Sequence, residues 1–366
     1  MFEIRMSLTR RAFTQRVAAA TLSRLIPPLA AQGSRKIGYC MVGLGRISLG
    51  HFMPGCRLSQ MSQVTALVSG HRDKAEKYAA QYNIPAGNIY NYENYDRIAQ
   101  NSAIDAVYIA LPNSMHAEYT IRAAKAGKHV LCEKPMATSV KDSQAMIDAC
   151  RAANKKLMIA YRCQYEPTNL HAIELIRSGK LGKIEAIESA NGFYETLGEW
   201  RLNGKLAGGG PLMDVGVYSL NASRFLTGEE PVEFQAYSSV IDKDGRFNDV
   251  EENLSWTMRF PSGAVAGCNT TYGASMPGFV RVHGSNGVLH LEPAFGYEGI
   301  RLQAQIKGEP AIDETNPAKD PAQFVREADH FSECILAGKE PKTNGEEGLR
   351  DMQYIARIYQ ACGRSL

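Results

Sequence analysis

Between residues 36 and 160 short apolar runs alternate with stretches of helical spacing, and this rhythm limits the possible folds more than any other feature of the chain. Ile37–Val42, Val64–Val68, Ala106–Leu111, His129–Cys132 and Leu157–Tyr161 read as strands, and the near-continuous apolarity of most of them predicts burial on both faces. Ala117–Ala126 and Lys141–Ala153 carry helical spacing. Strand, helix and strand in repetition predict a parallel, doubly wound sheet wrapped by helices.

After Tyr161 the pattern changes. Lys183–Asn191, Val232–Val240, Leu254–Phe260, Ala264–Tyr272, Phe279–Gly284 and Val288–Leu291 read as strands, some joined by short turns such as Pro261-Ser262-Gly263 and Gly284-Ser285-Asn286-Gly287. Such connections predict a large, mostly antiparallel open sheet, and helical patterns over Pro321–Ala337 and Gly345–Ala361 close the chain. With 366 residues, too many for one ordinary core, the expected class is α/β: a doubly wound domain over 36–160 and an α+β domain over 161–366 for substrate binding and oligomerisation. The later strands show no clearly polar face, which predicts one side covered by a second subunit in a homodimer or homotetramer.

The formal charge of +3 is unevenly placed: residues 1–31 hold Arg5, Arg10, Arg11, Arg16 and Arg24 against Glu3 and contribute +4, leaving about −1 for the rest. A near-neutral body without a basic stripe gives no reason to expect nucleic acid or an anionic membrane surface as partner. No apolar run reaches the roughly 18 residues that span a bilayer. A small molecule is therefore the expected ligand. Arg10-Arg11-Ala12-Phe13, followed by apolar Val17–Leu22 and Pro27–Ala31, resembles a twin-arginine export signal and predicts a periplasmic address, with 32–35 as linker. A leader that does not function would leave the protein in the cytoplasm. The eight cysteines lack metal-ligand spacing and read as buried thiols, so no metal is expected.

Gly43-Leu44-Gly45-Arg46-Ile47-Ser48 directly follows the first strand, where a dinucleotide-binding Rossmann fold needs glycine for the tight turn and for close approach of pyrophosphate. The third position is Ser48 instead of glycine. After the second strand, Ser69-Gly70-His71-Arg72-Asp73-Lys74 offers small and basic groups suited to a 2′-phosphate, so NADP is expected, with Asp73 leaving dual specificity open. Leu111-Pro112-Asn113 with His116, and Glu133-Lys134-Pro135, belong at the carboxyl edge of the same sheet. Asp214 and Tyr218 are four residues apart and would share a helix face. A tyrosine beside a lysine can exchange protons, because the ammonium favours phenolate. Periodicity alone favours a packed tyrosine whose hydroxyl bonds Asp214.

Taken in order, these pieces resemble the Gfo/Idh/MocA family of oxidoreductases from about residue 36 to the end, the lysine motif being met by Glu133-Lys134-Pro135, the earlier loop by Pro112-Asn113 and His116, and the acid by Asp214. Many members place histidine four residues after that acid, where this chain has Tyr218. Tyr218, Ala160–Tyr165, Trp200-Arg201-Leu202 and Arg224–Pro231 make the glucose-fructose and aldose-aldose oxidoreductase branch the most similar. The resemblance implies tightly bound NADP(H), oxidation of an aldose to its lactone and return of the hydride to a second sugar. It implies catalytic roles for Lys134, Asp214 and Tyr218, with Ser69 and Lys74 on the 2′-phosphate and Tyr92, Arg162, Trp200 and Arg201 lining cofactor or sugar. Two other readings stay open: a conventional NADP-dependent aldose or polyol dehydrogenase that exchanges its cofactor, and a dinucleotide-binding regulator without catalysis.

Overall fold

The computed structural model describes residues 35–317 and 321–366; the expected leader and most of the expected linker lie outside them. Six strands form the first sheet: β1 (Ile37–Val42), β2 (Ser62–Val68), β3 (Ile89–Tyr90), β4 (Ala106–Ile109), β5 (His129–Glu133) and β6 (Leu157–Ala160). All pair in parallel in the order β3-β2-β1-β4-β5-β6. The order reverses between β1 and β4, which opens a crevice at their carboxyl ends. Every residue of β1 and β4 is buried, as their unbroken apolarity predicts. The two-residue β3 escapes a sequence reading because it is too short to show a period.

The second sheet holds β7 (Ile184–Gly192), β8 (Glu233–Ser239), β9 (Asn253–Arg259), β10 (Val265–Thr271), β11 (Met276–Gly284), β12 (Gly287–Leu291), β13 (Arg301–Ile306) and β14 (Ile312–Thr315). Its order is β14-β13-β12-β11-β7-β10-β9-β8, antiparallel except where β7 meets β10. The last two strands were not expected from the sequence. The expectation that these strands lack a polar face is corrected: Leu254, Trp256 and Met258 of β9 point inward, while Ser255, Thr257 and Arg259 point out. Small and mixed residues in β7 and β10 blur an alternation that β9 and β13 display plainly. Tyr237, 83% exposed, stands on the outer face among Glu188, Gln235 and Asn269.

Lys36–Leu366 pack as one compact unit. Two helices from the interval assigned to the second domain return to the first sheet. Ala322–Ala337 seats Phe324, Ala328 and Phe331 against Tyr39, Met41 and Phe52, and Gly345–Ala361 seats Met352, Ile355 and Ile358 in the core with Met146 and Ile159. Their three- and four-residue apolar spacing gives each helix one buried stripe, which the sheet and its flanking helices cover.

Candidate active site

Gly43 leaves β1 at φ +92°, and a Cβ there would stand 2.4 Å from the Ala110 carbonyl oxygen, so only glycine lets the turn press against the loop after β4. The Ser48 hydroxyl donates to the Gly43 carbonyl at 2.7 Å and braces this turn from inside. Leu44 and Ile47 face the core, whereas Gly45 has nothing within 4 Å of its Cβ direction and Arg46 points to solvent. The backbone is thus bare where a pyrophosphate would approach it. A Cβ on Gly70 would stand 3.3 Å from the Tyr92 ring, and Lys74, four residues on, is exposed. These residues fit an adenine dinucleotide. The Ser69 hydroxyl, expected on the 2′-phosphate, donates to the His71 carbonyl and accepts from the His71 N–H.

The charged centre forms where β5 ends. Lys134 Nζ donates to the Asp214 carbonyl at 2.6 Å and to its Oδ1 at 3.1 Å, and stands 4.7 Å from the centre of the Tyr218 ring. Asp214 Oδ2 accepts from Arg201 Nε at 2.7 Å and from the Tyr272 hydroxyl at 2.9 Å. Burial pushes the Asp214 carboxyl up, but Lys134 and Arg201 outweigh it and hold the group well below the usual carboxylate range. Asp214 lies in a wide π-helical turn, Leu212–Gly216, that runs into the helix Val217–Thr227 carrying Tyr218. The glycine run before it passes tightly: a Cβ on Gly210 would meet the Glu251 carbonyl oxygen at 2.4 Å.

The structure therefore brings Lys134, Asp214 and Tyr218 together, with one difference from the sequence reading. The Tyr218 hydroxyl does not bond Asp214; it accepts from Arg162 Nε at 3.1 Å, while Tyr272 takes the aspartate. Burial raises the Tyr218 phenol well above its ordinary value against the opposing pull of Arg162. Trp200 lies under the Arg201 guanidinium, 4.9 Å from ring centre to charge.

Several residues expected around the cofactor face inward instead. His116 is 1% exposed, with one ring nitrogen 2.9 Å from the Pro135 carbonyl and the other 2.9 Å from that of Leu111, so it ties the two edge loops together. Asn113 donates to the Ala207 carbonyl at 2.8 Å, which fixes the Pro112 loop to the segment before Asp214. Glu133 accepts from the Tyr108 hydroxyl and from the Lys134 N–H, and burial pushes its carboxyl up. Arg162, expected to line cofactor or sugar, is 5% exposed behind Tyr218.

Sequence reasoning missed Tyr272, Tyr297 and Gln323. Tyr297 lies under Arg162 at 4.4 Å and stacks on His51 at 4.0 Å between centroids. Tyr272 ends a strand recognised from the sequence, and its place at that strand's end was the available signal; Gln323 lies in the expected helix Pro321–Ala337, on its buried side, and Tyr297 comes from a segment without periodicity. A hollow of about 490 Å³ lies at the opposite, amino edge of the first sheet, lined by His129, Arg151, Lys156, Glu340 and Asn344. Its Arg151 and Lys156 already pair with Glu346 and Glu340, so the convergent chemistry belongs to the carboxyl edge.

Residues 37–161 match the model of an oxidoreductase family with an NAD-binding Rossmann fold, and residues 169–290 that of the GFO/IDH/MocA C-terminal domain. D-xylose 1-dehydrogenase (NADP+) of Haloarcula marismortui is 33% identical over 333 residues, 89% of this chain and 91% of that protein. The crystal structure of aldose-aldose oxidoreductase from Caulobacter crescentus, complexed with glycerol, is similar with a TM-score of 0.86 at 45% identity, covering 91% of this chain and 99% of that one. A 3-ketoreductase from Actinomadura kijaniata in complex with NADP shares the fold at a TM-score of 0.77 and 23% identity, over 90% and 98% of the two chains. With both sheets matched and the lysine, aspartate and tyrosine at one crevice, the chain belongs to the Gfo/Idh/MocA family of oxidoreductases.

Proposed function

We propose that the protein is an NADP-dependent sugar oxidoreductase that oxidises an aldose to its lactone and passes the hydride, from a dinucleotide it retains, to a second sugar. The observation that carries this reading is the Lys134 ammonium between the Asp214 carboxylate, 3.1 Å away, and the Tyr218 ring, 4.7 Å away, at the same carboxyl edge of the sheet as the glycine turn that fits a dinucleotide. The 45% identity to an aldose-aldose oxidoreductase supports the same substrates.

NADP held at the glycine turn would supply the hydride chemistry, at nicotinamide C4. Tyr218 moves the proton at the sugar oxygen, Lys134 stabilises negative charge developing there, and Asp214 stays ionised and orients Lys134 and the sugar hydroxyl. Arg201 and Tyr272 hold Asp214 in place. Lys74 is the cation for a 2′-phosphate. The arginine-rich leader supports export of the folded, loaded protein to the periplasm, where a retained cofactor needs no free pool. A homodimer or homotetramer through the outer face of the eight-stranded sheet belongs to the same proposal, supported by exposed Tyr237 and Val265; a monomer by light scattering at micromolar concentration would remove it.

A conventional NADP-dependent aldose dehydrogenase is the second reading, favoured by the 33% identity to a xylose dehydrogenase. Gel filtration followed by denaturation separates the two. Release of about one NADP per chain, with turnover of sugar pairs and no added nucleotide, supports the first; strict dependence on added NADP selects the second. Tyr218→Phe should keep the nucleotide and lower hydride transfer about 100-fold. Unchanged turnover removes Tyr218 from the reaction.

A further inference from the structure

Arg162 is nearly as buried as the core, at 5% exposure, and every group it bonds is neutral. Nε–H donates to the Tyr218 hydroxyl at 3.1 Å, Nη1 to the Gly296 carbonyl at 3.0 Å and Gln323 Oε1 at 2.8 Å, and Nη2 to the Phe295 carbonyl at 2.7 Å. Among the described residues no carboxylate forms an ion pair with it. A guanidinium in such a place keeps its charge, so the surroundings hold a positive charge without its counter-ion.

Two buried acids feel its field, and burial pushes both toward the neutral form. Glu133 is occupied by the Tyr108 hydroxyl; Glu327, wholly buried, has neither carboxyl oxygen bonded within the described residues. The ionisable oxygen that Arg162 does touch is that of Tyr218. Other titratable groups face Tyr218 from each neighbouring element: Lys134 over its ring, Asp214 on the preceding turn, Cys163 and Glu133 beside it, and Tyr297 across Arg162. Of these and Arg162, Arg162 alone hydrogen-bonds the phenol oxygen. Lys134 directs two of its three N–H donors to Asp214 and none to the phenol oxygen.

We infer that Arg162 is the positioning residue of the proton transfer: it fixes the Tyr218 oxygen and supplies the counter-charge for the phenolate left when Tyr218 gives up its proton. The inference rests on the Tyr218 reading above and divides the labour differently, giving the phenolate to Arg162 and the aspartate to Lys134. In the reductive half the sugar carbonyl carbon receives the hydride with its electron pair. The carbonyl π pair forms the new O–H bond with the Tyr218 proton, and the tyrosine O–H bond breaks to phenolate. In the oxidative half the phenolate takes the proton of the donor sugar's hydroxyl as the hydride departs, so the proton count closes without another reactant.

The test uses the purified full chain with its retained nucleotide. Single-turnover hydride transfer is followed against pH, and tyrosine ionisation is titrated by near-ultraviolet difference absorbance against Tyr218→Phe. Arg162→Gln should raise the apparent pKa of Tyr218 in both measurements by at least about one unit and slow transfer about 100-fold, with nucleotide content unchanged. Arg162→Lys should recover part of both. Gln323→Glu leaves Arg162 in place but gives Nη1 a carboxylate, and should move both profiles in the same direction. It keeps the inference testable if Arg162→Gln does not fold. The double variant Arg162→Gln, Tyr218→Phe should transfer no more slowly than Tyr218→Phe alone.

A slower reaction with unmoved pH profiles would make Arg162 merely structural, and loss of nucleotide together with rate would assign it to cofactor binding; either overturns the inference. Additive losses in the double variant do the same. If Tyr218→Phe itself turns over normally, the reading of Tyr218 fails first; if only the Arg162 variants are unaffected, that reading survives and this inference falls.

Discussion

Two arginines of similar burial sit in opposite surroundings. Arg224, 3% exposed on the helix Val217–Thr227, bonds Glu230 at 2.6 Å, Glu347 at 3.0 Å and Asp351, so its charge is surrounded by carboxylates from the following loop and the last helix. Arg162, 5% exposed, bonds a phenol, two carbonyls and an amide. The first arrangement locks one helix to another and leaves nothing for a ligand to change. The second leaves a positive charge that becomes balanced only when a neighbour loses a proton. Burial alone does not mark a functional cation; the charge of what surrounds it does.

The comparison predicts unequal responses. Arg224→Met leaves buried Asp351 without its cation, while Glu347 and the half-exposed Glu230 keep Arg350, and should lower unfolding free energy by about 3 kcal/mol in denaturant titration, without displacing the pH profile of the protein that remains folded. A displaced profile would end the distinction between the two arginines. Lys134→Met should cost less stability but slow hydride transfer about 100-fold, and should raise the Asp214 carboxyl toward its ordinary range. The sign follows from the depressed native value: Asp214 stabilises the fold above its unfolded pKa of about 3.9, and that contribution fades as pH falls toward the native value. Removing the ammonium should therefore move the acid limb of activity upward, which rate measurements between pH 4 and 7 would detect.

A milder check lies at the amino edge of the first sheet. His129 is lowered to about 4 because burial, with Lys155 and Lys156 nearby, disfavours its charged form. Its folded value lies below its unfolded one, so stability should decline as pH falls from about 6.5 toward 4, and His129→Gln should flatten that slope in thermal melts. Least should come from Arg46→Ala, an exposed arginine whose partner Glu199 lies 3.4 Å away; a change within about 0.5 kcal/mol is expected, and a larger one would mean that exposure is no guide to a cation's weight here.

Much of the framework was legible because local chemistry required it. The apolar runs of β1 and β4 have no stable place except the middle of a covered sheet, and Gly43 follows β1 where a side chain would strike Ala110. Lys134, Asp214 and Tyr218 could be singled out by their order along the chain. The outer polar face was missed, although Ser255, Thr257 and Arg259 alternate with Leu254, Trp256 and Met258. His116 and Arg162 carried the right residue types at the right edge, yet their side chains turn inward, because carbonyls at Leu111, Pro135, Phe295 and Gly296 await them there.

By itself the order of residues determined a parallel sheet with a glycine turn at its carboxyl edge, since hydrophobic periodicity and steric limits act over neighbouring positions. Which charge answers which was decided only by the tertiary structure. Arg162 meets a tyrosine 56 positions away and a carbonyl 133 positions away, and Lys134 an aspartate 80 positions away. An electrostatic partnership depends on distance in space and on desolvation, and neither exists until the sheets, the returning helices and the loop around Tyr297 have closed around the same few side chains.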